Sequence, residues 1–197
     1  MSGFFRKRWK ALRSARRLEY IQSDGTQYIN TEYNPTNNTR IVMDFELISG
    51  DTVYTAVQST SDGNGLGFYF DSGKLRILYA TSTVITDKTI ETGVRCVVDV
   101  NKNQIYFNNT LVHTFTETSF TLDYPLPIGA FLYGYAGVIN LSDNIRFYSC
   151  QIYENDVLVH DMLPYYDDED VACMYDNVQK KFYYNSGTGE FIAGKVA

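Results

Sequence analysis

Residues 145–163 constrain the fold more than any other stretch of the chain. Ile145, Phe147, Ser149, Gln151 and Tyr153 alternate with Arg146, Tyr148, Cys150, Ile152 and Glu154. A period of two puts successive side chains on opposite faces, so the segment reads as a long β-strand. Apolar or aromatic groups fall on both faces, which suits a strand inside a sheet that packs on a second sheet. Asn155-Asp156 then supplies a tight hairpin turn. Residues 157–163 return as the partner strand, which Pro164 is expected to end because it lacks the ladder N–H.

The same rhythm runs through the rest of the chain. Residues 18–22 and 26–30 read as short strands about a Ser-Asp-Gly-Thr turn. Residues 40–48 form an amphipathic strand, with Ile41, Met43, Phe45 and Leu47 on one face and Val42, Asp44 and Glu46 on the other. Further strands are expected over 53–57, 66–71, 74–80, 83–90, 94–100, 104–107, 110–115, 128–132 and 138–141, separated by turns rich in Gly, Asn and Asp. Many short strands with frequent turns predict an all-β fold, a two-sheet antiparallel sandwich.

Charge divides the chain in two. Residues 1–17 hold seven of the 17 Lys and Arg and none of the 23 acids, so the remainder carries 10 − 23 = −13. An acidic body argues against nucleic-acid binding through that body. In the basic segment, Phe5, Trp9 and Leu12 fall at i, i+4 and i+7, while Arg6, Lys7, Arg13 and Arg17 take other directions. This predicts a short amphipathic helical arm over 1–17 and a sandwich over 18–197. Because apolar anchors accompany the charge, Phe5, Arg6, Lys7, Arg8, Trp9, Lys10, Leu12, Arg13, Arg16 and Arg17 are read as a surface for docking on a larger assembly. A solvated terminus, an anionic membrane and nucleic acid are the other readings of the arm. No 18-residue apolar run is present, so no transmembrane helix is expected, and the basic start lacks the apolar core of a secretory signal. The three cysteines, Cys96, Cys150 and Cys173, are widely spaced and odd in number, which predicts buried, reduced thiols.

No known catalytic motif is present. Asp44 and Glu46 are the one carboxylate pair on a strand, and the solvated face of that strand accounts for them. His113 and His160 lie within strands, away from any local Cys or Ser nucleophile motif. Asp167-Asp168-Glu169-Asp170 is read as a solvated loop, because consecutive acids point in different directions. The chain is therefore expected not to be an enzyme. Sugar binding needs flat aromatic faces beside amides and carboxylates. Asp62 and Asn64 in one loop, and Tyr133 and Tyr135 in another, supply those groups. Asp62 and Asn64 are also the candidates for a Ca²⁺ ion, and no other metal or cofactor is expected.

The C-terminal third also carries a family pattern. Ile152-Tyr153, Leu158-Val159, Asp161, Pro164, Ala172, Tyr175-Asp176, Val178, Lys181-Phe182-Tyr183 and Gly187-Thr188-Gly189 with Phe191 follow one another at the spacing of laminin-G-like domains. Cys173 stands where that pattern often has Gly, and His160 where it often has Arg. The opening from Leu18 to Ile29 is similar to the start of the same domains. Over about residues 18–194 the chain resembles the concanavalin-A-like jelly rolls of tailed-phage structural proteins and of gut bacterial surface proteins. The resemblance implies a jelly-roll sandwich in a virion component: a capsid decoration, head-fibre or tail-associated protein made in the host cytoplasm. It implies other virion proteins as partners of residues 1–17, and host-surface or mucosal glycans as ligands of the body. A free-standing bacterial carbohydrate-binding domain is the alternative, and a glycan hydrolase a third reading. Association with further copies is left open.

Overall fold

The computed structural model describes residues 15–197. Their regular structure is almost all strand. In chain order these are β1 (Arg16–Arg17), β2 (Ile21–Ser23), β3 (Ile29–Asn30), β4 (Thr39–Ser49), β5 (Val53–Gln58), β6 (Gly65–Asp71), β7 (Lys74–Ala80), β8 (Ser82–Thr89), β9 (Arg95–Asn101) and β10 (Gln104–Phe107). They continue as β11 (Thr110–Thr114), β12 (Pro127–Ile128), β13 (Ala130–Tyr133), β14 (Val138–Leu141), β15 (Asn144–Glu154), β16 (Val157–Tyr166), β17 (Ala172–Asp176), β18 (Lys181–Tyr183) and β19 (Ile192–Ala193). A single 3₁₀ turn at Gly134–Ala136 is the one helical element among the described residues.

Two sheets carry the fold. The larger has the order β11-β10-β9-β4-β15-β16-β17-β18, with β1 on β16, β2 on β15 and β19 on β2. The smaller has the order β14-β13-β5-β6-β7-β8, and β3 with β12 forms a separate ladder. The pairing is antiparallel as expected, with one departure: β13 runs parallel to β5.

The alternation read in β4 is the alternation observed. Thr39, Ile41, Met43, Phe45 and Leu47 are buried, and the residues between them are not. Phe45 stacks on Phe68 of the smaller sheet with ring centres 5.8 Å apart, and Phe70 reaches Phe107 of the larger sheet at 6.1 Å. Thr55 donates its hydroxyl to Met43 Sδ at 3.1 Å across the same gap. These contacts pack the two sheets face to face as a β-sandwich. Fully burying each such apolar side chain stabilises the fold by about 1.5–3 kcal/mol.

The long strand β15 differs from the sequence reading in one respect. Its inward residues are Ile145, Phe147, Cys150 and Ile152. Parity changes because Phe147 pairs with Phe45 while Ser149 pairs with the adjacent Asp44, leaving Tyr148 as an extra residue. Ile145, Phe147 and Ile152, read as serving two faces, therefore serve one, on either side of a β-bulge, while Tyr148 and Tyr153 stay on the outer face. One edge of β15 is covered by β4 along its length; the other is shared by β2 at 145–147 and β16 at 150–154.

Pro164 does not end its strand, since β16 continues to Tyr166 with Pro164 opposite Met174. The Pro164 carbonyl accepts the Leu18 N–H at 2.9 Å. Within a strand a residue's N and C=O face the same side, so the nitrogen also faces that flank. Register with β15 ends at Met162 and register with β1 begins at Tyr165, so the missing N–H falls between two partners.

Arg16 and Arg17 correct the expected arm. They are a strand paired with Tyr166 and Tyr165, not the end of a helix, so the sandwich begins before residue 18. The other arm residues, Phe5, Arg6, Lys7, Arg8, Trp9, Lys10, Leu12 and Arg13, lie outside the described residues. The three cysteines are free and buried. No helix among the described residues is long and apolar enough to cross a membrane.

Candidate functional site

The two loops picked out in the sequence meet at one end of the smaller sheet. Tyr133 pairs with Gln58 in the parallel ladder of β13 and β5, which sets the loop after β13 beside the loop after β5. The approach is close enough to demand glycine: a Cβ on Gly134 would stand 2.5 Å from Thr60 Oγ1. Tyr135 is 89 % exposed and meets Tyr124 edge to face at 5.4 Å, and Tyr124 also contacts Thr60. Tyr133, Tyr135 and the 59–64 loop thus share one rim, and Tyr124 joins them.

Asp62 and Asn64 are engaged with each other. Asp62 Oδ2 accepts the Asn64 side-chain amide at 2.7 Å and Oδ1 accepts the Asn64 backbone N–H at 3.1 Å. The side-chain amide, with Ser59, holds the Asp62 carboxyl below its usual range. This is the chemistry of a self-bonded turn. No group of three or more His, Cys, Asp or Glu placed to hold a metal occurs among the described residues.

A second set of rings adjoins this rim and was not singled out in the sequence. Tyr54 on β5 pairs directly with Tyr69 on β6, and Phe131 on β13 pairs with Ala56, two residues along the same face of β5. The three rings are nearly parallel, with interplanar angles of 11°, 15° and 20°. Their centres stand 5.9 Å (Tyr54–Tyr69), 6.4 Å (Tyr54–Phe131) and 5.8 Å (Tyr69–Phe131) apart. Rings piled in one column would make one distance the sum of the other two. A near-equilateral triangle instead spreads them across three strands, each half-buried on the outer face. Phe131 and Tyr133 lie two residues apart on β13, so the row runs on to the rim.

Polar groups frame the row. Asn140 is opposite Phe131, and Arg76 is opposite Tyr69. Arg76 holds Asp71 at 2.8 Å, and its Nε is the one buried side-chain polar atom without a partner among the described residues. Half-exposed rings of common orientation beside amide, guanidinium and carboxylate groups can take the apolar face of a sugar and satisfy its hydroxyls. The sequence signal was present as outward positions of period-2 strands. What it lacked was the pairing of β13 beside β5.

The other sequence candidates have structural partners. Asp44 accepts Nε and Nη2 of Arg95 at 2.6 and 2.7 Å, and Glu46 accepts the Tyr148 hydroxyl and lies 3.4 Å from Arg146 Nη1. Asp167 is buried, accepting the Glu169 and Val171 N–H groups at 2.9 Å and the Tyr184 hydroxyl at 2.8 Å, which makes the acidic run a tied turn. His113 packs edge to face on Phe115 at 4.4 Å beside a cleft of about 380 Å³ lined mainly by Ser, Thr and aromatic side chains. His160 is buried against Asp176. No known protein-family model matches the chain, and no curated protein matches it.

Proposed function

We propose that this protein is a non-catalytic glycan-binding module displayed on a tailed-phage particle. The observation that carries the binding part is the triangle of Tyr54, Tyr69 and Phe131, continuous with Tyr133 at the rim. Rings held by strands need no ordering when a ligand arrives, so their contact area is not offset by side-chain entropy. The particle part rests on the resemblance of residues 18–194 to the concanavalin-A-like jelly rolls of phage structural proteins. It rests equally on the basic segment, rich in apolar anchors, that precedes an acidic body. On this reading residues 1–14 dock on other virion proteins and the sandwich faces outward. Asp44 and Glu46 serve Arg95, Tyr148 and Arg146, which supports a binding role over glycan hydrolysis.

The test has two parts. Neutral oligosaccharides are titrated against the full chain and against Tyr54→Ala, Tyr69→Ala and Phe131→Ala. Each substitution is expected to weaken binding about two- to tenfold, the equivalent of about 0.5–1.5 kcal/mol per ring, with little change in Tm. Binding that survives all three changes rejects the row as the site. Co-sedimentation with purified particles then compares the full chain with one beginning at Ala15, which keeps β1 intact. Pelleting of the full chain alone assigns docking to residues 1–14; no pelleting of either removes the virion reading and favours a free-standing carbohydrate-binding domain.

A further inference from the structure

The outer face of the larger sheet, on the opposite side of the sandwich, holds a differently built site. Arg17, Glu19, Tyr20, Arg95, Arg146 and Tyr148 line a cleft of about 480 Å³. That volume lies within the range of small-ligand sites. Tyr148 lies two residues from Arg146 on β15 and shares its outward face by ordinary alternation; the bulge that follows returns Cys150 and Ile152 to the core.

Two guanidinium groups are fixed in place before any ligand arrives. Arg95 is clamped by both oxygens of Asp44 and lies 3.8 Å from the centre of the Tyr148 ring. Arg146 donates Nε to Gln22 Oε1 at 2.9 Å and lies 4.3 Å from the centre of the Tyr20 ring. Tyr20 and Tyr148 meet edge to face at 5.8 Å, and the Tyr148 hydroxyl donates to Glu46. The rotamer entropy that a free Arg loses on binding has here been lost in folding. Arg95 Nη1 has no hydrogen-bond partner among the described residues, and Arg17 pairs with no carboxylate among them.

Charge balance narrows the ligand. The three arginines are matched by Glu19, Asp44 and Glu46, and the body as a whole is acidic. A long polyanion such as nucleic acid gains nothing from such a surface. Directed N–H donors beside aromatic faces favour one planar or tetrahedral oxyanion carried on a ring.

The geometry points to this cleft as a binding site for an acidic sugar residue. Its carboxylate or sulfate is taken by Arg95, Arg146 and Arg17, and its ring lies against Tyr20 or Tyr148. The choice of a sugar rests on the glycan-binding reading above, but the residues are wholly separate from the aromatic row.

The test titrates the full chain with three probes: an oligogalacturonate, a sulfated galactan oligosaccharide and a neutral β-glucan oligosaccharide. Arg146→Lys and Arg95→Lys preserve formal charge, so any contribution of basic residues 1–17 is the same in both Lys variants as in the parent chain, while the bidentate fork is lost. One acidic probe is expected to bind saturably, about tenfold more weakly to each Lys variant. The carboxylated and sulfated arms identify which oxyanion is held. Arg17→Ala, expected to weaken the same probe about threefold, serves where a Lys variant does not fold. Absence of saturable binding by both acidic probes, or equal binding by all the variants, overturns the site. Tyr69→Ala separates the two faces. If it abolishes acidic binding that the Arg variants leave intact, the cleft fails and the aromatic row stands. If acidic binding needs Arg146 while no neutral glycan binds, the cleft stands and the row fails.

Discussion

His160 Nδ1 and Asp176 Oδ2 lie 2.6 Å apart beneath the surface of the sandwich, joining β16 to the end of β17. The other oxygen of Asp176 accepts the backbone N–H groups of Asp161 at 3.1 Å, Val178 at 2.8 Å and Gln179 at 3.1 Å. One carboxylate thus orients the histidine and closes the turn before β18. This gives a structural reason for Asp in the Tyr175-Asp176-x-Val178 pattern. Tyr33 and Tyr183 pack edge to face on the His160 ring at 5.5 and 6.1 Å.

Asp176→Ala leaves His160 and three backbone donors without their acceptor. It is expected to cost about 3–5 kcal/mol, read as a lower midpoint in urea unfolding. Burial alone would raise the Asp176 carboxyl, but the hydrogen bonds from His160 and from the backbone outweigh it and hold the carboxyl below its usual range. A carboxylate whose folded pKa is lowered stabilises the fold fully above its unfolded pKa, about 4. That stability is lost as pH falls through the lower folded value. Asp176→Asn should therefore flatten the loss of stability below about pH 4, and an unchanged acid limb would show that other carboxylates control it.

Gly67 in the centre of the smaller sheet has φ +135°, and a Cβ there would stand 2.2 Å from Thr55 O and 2.6 Å from Ala56 Cα. Both contacts are backbone and cannot swing away. Gly67→Ala is expected to cost about 4 kcal/mol or more. Gly73, in the β6–β7 turn, has φ +72° with open space about it, so Gly73→Ala should cost only the left-handed strain of about 1–2 kcal/mol. Equal losses in denaturant titrations would contradict the steric argument.

Burial pushes the thiols of Cys96, Cys150 and Cys173 up to about 12. The thiolate is the reactive form, so the native protein at pH 8 should label negligibly with a thiol reagent, and three thiols should react after denaturation. Fast labelling of the native protein would mean that the strands holding them open readily.

Asp62 is engaged by Asn64, and no cluster of metal-ligating residues surrounds it. A chelator such as EDTA is expected to leave Tm and any glycan affinity unchanged. A fall in either on chelation, reversed by Ca²⁺, would restore Asp62 and Asn64 as ion ligands.

The local pattern was enough for most of the strands, but β17, β18 and β19 were not read from it. Period-2 alternation located β4 and the β15–β16 hairpin closely, because side-chain direction in a strand follows from the backbone alone. Arg16 and Arg17 were misread as helical because two residues carry too little period to oppose their basic neighbours; the long-range pairing with Tyr165 and Tyr166 decides them. Pro164 was misread for the same reason, since whether a missing N–H matters depends on which strand lies beside it.

By itself, the sequence determined the all-β class, the inward face of β4, the split between basic segment and acidic body, and the chemistry of the rim residues Asp62, Asn64, Tyr133 and Tyr135. Tertiary structure decided which of these meet. Residues 54, 69 and 131 become one row only because β13 pairs parallel to β5 while β5 pairs with β6. Arg17, Arg95 and Arg146 face one cleft only because β1, β9 and β15 enter the same sheet. Local periodicity says which way a side chain points. Strand order and register come from pairings between distant segments, and they alone say what it points beside.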